Sequence, residues 1–381
     1  MGLTLRFRRP IIVLPLRAPR GKGQGVVSAK PTPTSAYRSS RVGCLFPVLL
    51  FSFTAVLAHA QKYTSIVVFG DSLSDVGNVA HLTEAKYGVR IPGPIADYTD
   101  GRFTDGRDTL PAAHSYYGIW VEQLAAMLPA KPVIKDSLDG GTDYAYGFAK
   151  TSGGKGVFTF GPSDSLSVNV DNVGRQITTY LATSPKINDK TLFVVWGGAI
   201  DVLHATSTDD VVRGAIDETI DVQRLIAAGA TQILILNLPP LGAVPRVNGS
   251  PATSIPATKA SELFNGTLAA GIDILRAFNP GRRLRLFELD VFGLFEQVIA
   301  SPATYSLVDV TGSARGMATV NPDTYLFWDD LHPTTRVHDI LAVAAARLIR
   351  SALCRKESHE NKSGCLVVED QDEVAGSLSS R

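Results

Sequence analysis

The stretch "VVFGDSLSD", residues 67 to 75, ends an apolar run in Gly70-Asp71-Ser72. A serine hydroxyl is a weak nucleophile until a base takes its proton, so Ser72 needs a histidine in reach and a third group to orient it. Near the other end of the chain, "FWDDLHPTT" places Asp329 three residues before His332. At that spacing a carboxylate can accept a hydrogen bond from one imidazole nitrogen and leave the other to act as base. Asp330 is the competing carboxylate. Each residue also has an ordinary reading, Ser72 as a turn hydroxyl and His332 as a surface histidine.

These residues need elements to hold them. From Tyr63 onward the runs "SIVVF", "TLFVVW", "TQILILNL" and "RLRLFEL" alternate with helical patterns. Continuous apolar strands separated by helices predict a parallel sheet buried on both faces. Between the second and third runs, Val212, Ala215, Ile216, Thr219, Ile220, Gln223 and Ile226 recur at helical spacing, which predicts that this stripe lies on the sheet. Val337, Ile340, Leu341, Ala344 and Leu348 predict the buried face of a last helix, with Pro333 in its first turn. With no repeat and no long linker, residues 61–354 read as a single three-layer α/β domain and 355–381 as a polar tail. In such open sheets the reactive groups gather beyond the carboxyl ends of the strands, where Ser72 falls.

The chain has 381 residues, 45% hydrophobic and 19% charged, enough for a sizeable core. Its formal charge of +1 hides an asymmetry: the first 60 residues hold nine Lys or Arg and no acid, leaving 28 basic against 36 acidic residues after them, about −8. That balance argues against a nucleic-acid partner. The basic start runs into "CLFPVLLFSFTAVLAHA", a short apolar core ending at Ala58-His59-Ala60, which reads as a secretory signal cleaved before Gln61. The run is too short for a confident membrane span. A signal anchor or an organelle transit peptide is the alternative, given the long Arg- and Ser-rich stretch ahead of it.

Secretion agrees with sequons at Asn248, Asn265 and Asn361. Cys44 would leave with the signal. Cys354 and Cys365 then remain, as a disulfide near the C-terminus or as two free thiols. No metal-ligand cluster, phosphate loop or dinucleotide fingerprint stands out, so no cofactor is implied.

Taken in order, "FGDSLSDVGN", "GRFTDG" at 101–106, "GGTDYAYGFA" at 140–149, "VVWGGAID" at 194–201 and "WDDLHPT" at 328–334 resemble the blocks of the GDSL, or SGNH, hydrolase family. They span residues 66 to 350, and the nearest likeness is to its fungal secreted acetylesterase-like branch. The resemblance implies a flavodoxin-like fold with a mostly parallel central sheet and ester hydrolysis through an acyl-enzyme. By position it makes Ser72 the nucleophile, His332 the general base and then acid, and Asp329 the group that orients His332.

The same resemblance implies an oxyanion hole built from the Ser72 backbone N–H, a backbone N–H of the second block, at Gly147 or Phe148 with Gly147 taken first, and an Asn side chain in the third. Losing one such donor typically costs about two to three orders of magnitude in rate. Here Gly198-Ala199-Ile200-Asp201 puts Ile200 where the amide should stand, and isoleucine cannot donate. Asp143, where the family usually has Asn, reads as structural. Asp75 and Asn78 read as turn or helix-cap residues, Asp201 as a brace for the nucleophile loop, and His204 as solvent-facing although a compensating donor is conceivable. Trp196 and Trp328 either line the site or simply pack.

The expected function is a secreted, monomeric serine esterase for short acyl esters of small alcohols or carbohydrates. Lysophospholipid or longer-chain lipid hydrolysis is one alternative, and a catalytically impaired binding protein is the other, because of Ile200.

Overall fold

The computed structural model describes residues 63–105, 117–129, 132–281 and 283–360, with side chains up to 352. The leader, Cys44, Cys365, Asn361 and the last stretch of the tail lie outside the described residues, as does the Cys354 side chain.

The chain begins with β1 (Ser65–Gly70), α1 (Asn78–Tyr87) and α2 (Trp120–Met127), followed by a hairpin of β2 (Lys155–Phe160) and β3 (Leu166–Asp171). Then come α3 (Val173–Ala182), β4 (Thr191–Trp196), the short α4 (Ala199–Leu203), α5 (Thr208–Ala227), β5 (Gln232–Leu236), α6 (Pro251–Phe278) and β6 (Arg285–Leu289). The last elements are α7 (Val291–Ala300), β7 (Asp309–Ser313), β8 (Tyr325–Phe327) and α8 (Thr335–Glu360).

The four apolar runs become β1, β4, β5 and β6, paired in parallel in the order β1-β4-β5-β6. Every residue of β4 and β5 is buried, as strands covered on both faces must be. On the outer edge of β1, residues 142–146 run alongside it: Val68 N donates to Thr142 O at 3.0 Å, Tyr144 N to Val68 O at 2.8 Å and Tyr146 N to Gly70 O at 3.2 Å. Counting that edge, the order is the flavodoxin-like one, with the direction of winding reversing between β1 and β4. Right-handed crossovers therefore place α3, α5 and α6 on one face, while α2 and α8 pack together on the other.

Two helical expectations need correction. The buried face of α5 is Val211, Gly214, Ala215, Glu218, Asp221, Val222, Leu225 and Ile226, whereas Ile216 and Ile220 are 47% and 51% exposed. The face is rotated because two carboxyl side chains lie inward. In α8 the face is Val337, His338, Leu341, Ala342, Ala345, Ala346 and Ile349, with Ile340, Ala344 and Leu348 at its margins. Pro333 precedes α8 rather than entering its first turn, and the helix runs on to Glu360, into the segment expected as tail. Two sequon amides point inward: Asn248 Nδ2 donates to Ala243 O and Thr311 O, and Asn265 Nδ2 donates to Leu238 O. Among the described residues, no helix is long and apolar enough to cross a membrane.

Candidate active site

Ser72 lies two residues past the end of β1, on a turn fixed from several sides. Gly70 permits the close pass of β1 to β4, since a Cβ there would stand 2.6 Å from Trp196 O. Its N–H donates to Gln176 Oε1 at 2.9 Å and its carbonyl accepts from Gln176 Nε2 at 2.8 Å. Asp71 O accepts from Ser74 N and Asp75 N, and Asp71 Oδ1 accepts from Leu73 N. Burial pushes the Asp71 carboxyl up to about 6.

The turn then feeds α1 through Asp75, whose carboxylate accepts the N–H groups of Gly77, Asn78, Val79 and Gly147. Asn78 Nδ2 donates to Asp143 O and Ala145 O, and Asp143 accepts from Val76 N and Ala145 N. These three are scaffold, as the sequence suggested. Asp201, expected to brace the nucleophile loop, instead accepts from Thr151 N and Oγ1, and burial raises its carboxyl.

His332 arrives from the loop between β8 and α8. Its Nε2 is 2.8 Å from Ser72 Oγ and its Nδ1 is 2.7 Å from Asp329 Oδ2. The other oxygen, Oδ1, accepts from Leu331 N at 2.8 Å and His332 N at 2.6 Å, so the i, i+3 spacing forms a closed turn. Burial would raise the Asp329 carboxyl, but the His332 charge and the hydrogen bonds from His332 and Tyr98 outweigh it and hold the group well below the usual carboxylate range. An ionised Asp329 only accepts, so Nδ1 carries the proton and the Nε2 lone pair faces the serine. Asp330 turns away into an ion pair with Arg246, at 2.9 and 3.0 Å.

On the opposite flank, α4 begins at Gly198, where φ is 99° and a Cβ would run into the Phe264 ring. Ile200 is 3% exposed and lies beside Ser72. The Gly147 expectation is corrected here, because its N–H is taken by Asp75 Oδ2 at 2.9 Å. The next residue, Phe148, has φ 70°, a left-handed conformation rare for a bulky side chain. Among the described residues, neither the Phe148 nor the Ser72 backbone N–H has a protein hydrogen-bond partner.

Two cavities meet at Ser72. One is a narrow apolar pocket of about 30 Å³ at the carboxyl ends of β1, β4 and β5, walled by Trp196, Ile200, Pro239, Leu241, Val244, Phe295 and Phe327. The other is an open cleft of about 400 Å³ with Phe103, Phe148 and Phe158 beside Thr159, Asp164, His204 and Arg246. His204 is exposed at its rim, with Nδ1 3.0 Å from Ile200 O and its ring 5.1 Å from that of Phe148. Trp328 is buried and lines a separate cleft with Pro94, Asp97 and Met317.

Sequence reasoning missed the β2–β3 hairpin that supplies Phe158, although its two runs alternate like half-buried strands. It also missed Tyr98, Arg246 and the fully buried His338, whose imidazole is lowered to about 3 by burial and then by the charge of His332. Among the described residues, no group of three or more His, Cys, Asp or Glu side chains is arranged to hold a metal ion.

The chain is similar to several known proteins. The phosphatidylcholine-sterol acyltransferase of Aeromonas hydrophila is 24% identical, across 79% of this chain and 95% of its own. A GDSL esterase/lipase of Arabidopsis thaliana is 25% identical, across 76% of this chain and 88% of its own. Among solved structures, a carbohydrate acetylesterase from Sinorhizobium meliloti is 14% identical with a TM-score of 0.35, covering 77% of this chain and 99% of that one. The family model of GDSL-like lipases and acylhydrolases matches residues 66–345, from β1 and the Ser72 turn through the His332 loop into α8, and the chain belongs to that family of carboxylic ester hydrolases.

Proposed function

We propose that the protein is a secreted serine esterase that removes short acyl groups, of the acetyl type, from small or carbohydrate alcohols. The observation that carries this reading is the row Asp329–His332–Ser72, with its two short hydrogen bonds ending at a serine where two unlike cavities meet.

The chemistry follows from the proton inventory. His332 Nε2 takes the Ser72 proton as Oγ attacks the ester carbonyl, and the carbonyl π pair moves onto oxygen. Asp329 stabilises the resulting imidazolium without taking its proton. His332 then gives the proton to the departing alcohol oxygen, which leaves an acyl-Ser72. Water repeats the sequence in reverse roles and releases the acid.

For the oxyanion we assign the Ser72 and Phe148 N–H groups, neither of which has a protein hydrogen-bond partner among the described residues. The left-handed φ of Phe148 turns its peptide at the position where a glycine would be unstrained. With Ile200 in place of a side-chain donor, the hole is smaller than the family pattern implies.

The narrow apolar pocket suits an acyl group of few atoms. The open cleft, with aromatic faces beside polar side chains, suits a hydroxylated alcohol. Signal cleavage before Gln61 belongs to the same reading, as does placement in the acetylesterase-like branch. Longer acyl chains are the alternative favoured by one relative, whose name specifies phosphatidylcholine and a sterol.

Hydrolysis of p-nitrophenyl acetate and octanoate by wild type and Ser72→Ala, with fluorophosphonate labelling mapped by peptide, tests the proposal. We expect labelling at Ser72, acetate preferred, and no turnover in the variant. Near-wild-type hydrolysis by Ser72→Ala would overturn the mechanism, and octanoate preferred over acetate would overturn the acyl assignment. Tight ligand binding with no labelling would make the protein a binder.

A further inference from the structure

The block "GRFTDG" takes no part in the acyl-transfer chemistry, yet its described residues pack against α1, α2 and, from Phe103 onward, the catalytic loop. Gly101 has φ 75°, and a Cβ there would stand 2.9 Å from Gly77 Cα, so the block threads past the start of α1 only as glycine. Arg102 pairs with Glu122 of α2 through two hydrogen bonds, 3.2 and 2.5 Å. The Phe103 ring lies 5.0 Å from the His332 ring, tilted by 34°. Thr104 Oγ1 donates to Pro333 O at 3.0 Å, and Asp105 Oδ1 accepts from Thr335 N at 2.5 Å. Three consecutive side chains, Phe103, Thr104 and Asp105, thus fix the histidine loop and the start of α8 from outside.

Just ahead of the block, Tyr98 reaches the reacting groups more directly. Its hydroxyl donates to Asp329 Oδ2 at 2.7 Å, the same oxygen that accepts from His332 Nδ1 at 2.7 Å. The ring is held by the Arg315 guanidinium 4.6 Å from its centroid, while Arg315 Nε donates to Ala96 O. With the two backbone N–H groups on Oδ1, the carboxylate accepts four hydrogen bonds. Burial, and then the Asp329 charge, raise the Tyr98 hydroxyl far above its ordinary range, so it remains a donor throughout the working pH range.

From this geometry we infer that Tyr98 is a positioning residue of the Ser72–His332–Asp329 row, sharing Asp329 Oδ2 with His332 and thereby setting both the orientation of the carboxylate and the basicity it confers on the imidazole. The inference rests on the serine-esterase reading above. A donor on Oδ2 withdraws negative charge from the oxygen facing Nδ1–H. It moderates the stabilisation of imidazolium while stopping the carboxylate from rotating off the imidazole. Asp329 then holds one geometry through both proton transfers.

The test is Tyr98→Phe, which keeps the ring under Arg315 and deletes only the hydroxyl. The titratable and charged groups around His332 are Asp329, Asp71 of the nucleophile turn and His338 of α8; those around Tyr98 are Asp329, Asp330, Arg246 and Arg315. The substitution alters none of them. With p-nitrophenyl acetate we expect kcat to fall about tenfold with KM within about twofold, the size of one lost hydrogen bond to a charged group. The acid limb of kcat/KM should move to higher pH by about half a unit, because the freed Oδ2 holds the imidazolium more strongly.

A second readout does not depend on turnover. In ¹⁵N-histidine-labelled protein, the His332 resonance, assigned by its loss in His332→Gln, should titrate with a midpoint displaced upward in Tyr98→Phe. A rate loss with the midpoint unmoved or displaced downward would overturn the inference and leave Tyr98 as packing. An upward displacement in Tyr98→Phe, found together with a wild type that hydrolyses no ester, would uphold the hydrogen-bond role and overturn the esterase reading instead.

Discussion

The two flanks of Ser72 are built to different standards. On the histidine side every polar atom that matters is saturated: Asp329 accepts four hydrogen bonds, His332 uses both ring nitrogens, and Phe103 closes against the imidazole. On the α4 side the proposed oxyanion hole has Ile200 where the family resemblance implies a side-chain donor, and the Gly147 N–H is committed to Asp75, so the proposal rests on the Ser72 and Phe148 N–H groups. Proton transfer is thus fully equipped, whereas charge stabilisation at the carbonyl oxygen is reduced. The difference points to an enzyme limited by formation of the tetrahedral intermediate rather than by deprotonation of the serine.

The hardest blow to the stronger flank is Asp329→Asn. An amide can present its N–H to His332 Nδ1 and so stabilise the wrong tautomer, and we expect kcat for p-nitrophenyl acetate to fall by about four orders of magnitude. A loss of less than about tenfold in steady-state kinetics would mean that the row is not the proton pathway.

The converse experiment repairs the weaker flank. Ile200→Asn should raise the acylation rate, measured as a pre-steady-state burst, by about ten- to a hundredfold if a third donor is what the site lacks. A decrease, or no change, would show that the pocket has been rebuilt around isoleucine and that the two flanks are better matched than they look.

A smaller effect separates the flanks by pH. The nucleophile turn holds Asp71, raised by burial to about 6, and α5 holds Asp221, raised by burial to about 7, and Glu218, raised well above its ordinary value by burial and then by its acidic neighbours. Their folded-state pKa values exceed the unfolded ones, so the stability they confer is present at low pH and lost as pH rises through the folded values. Asp329 is shifted the other way, and its contribution is lost as pH falls below about 4. Calorimetry should therefore find the highest Tm in mildly acidic solution and a decline of several degrees between about pH 4 and 7. A Tm that is flat or rising over that range would contradict the raised carboxyls of Asp71, Asp221 and Glu218.

The smallest expected change is that of Thr104→Val, which removes the hydroxyl donated to Pro333 O. Unfolding in denaturant should register a loss of about 1 kcal/mol, with kcat altered by less than about threefold. A large kcat effect would extend the positioning role from Tyr98 to the whole block.

How far the site could be read beforehand depended on distance along the chain. Asp329 and His332 are three residues apart, so their pairing follows from local turn geometry. Ser72 lies 260 residues from His332, and only the ordered blocks between them gave a reason to bring the two together. Tyr98 gave no such reason: its partner is 231 residues away and a tyrosine before a turn is an ordinary residue. The choice between Gly147 and Phe148 was closed to sequence because it depends on which peptide N–H the Asp75 carboxylate captures. The face of α5 misled for a related reason, since acidic residues at 218 and 221 look solvent-exposed until burial shows otherwise.

Four largely apolar strand runs and their helical spacers determined a parallel α/β sheet by themselves, because the central strands, covered on both faces, have no polar side to display. The same local logic, a carboxylate one turn from an imidazole, determined which aspartate could orient His332. Only the tertiary structure decided that Tyr98 shares that carboxylate, that the Gly147 N–H is taken by Asp75, and that a narrow apolar pocket and an open aromatic cleft meet at Ser72. Those features arise where β1, β4 and β5 end side by side, and a hydrogen bond across such a junction depends on positions in space that no run of neighbouring residues encodes.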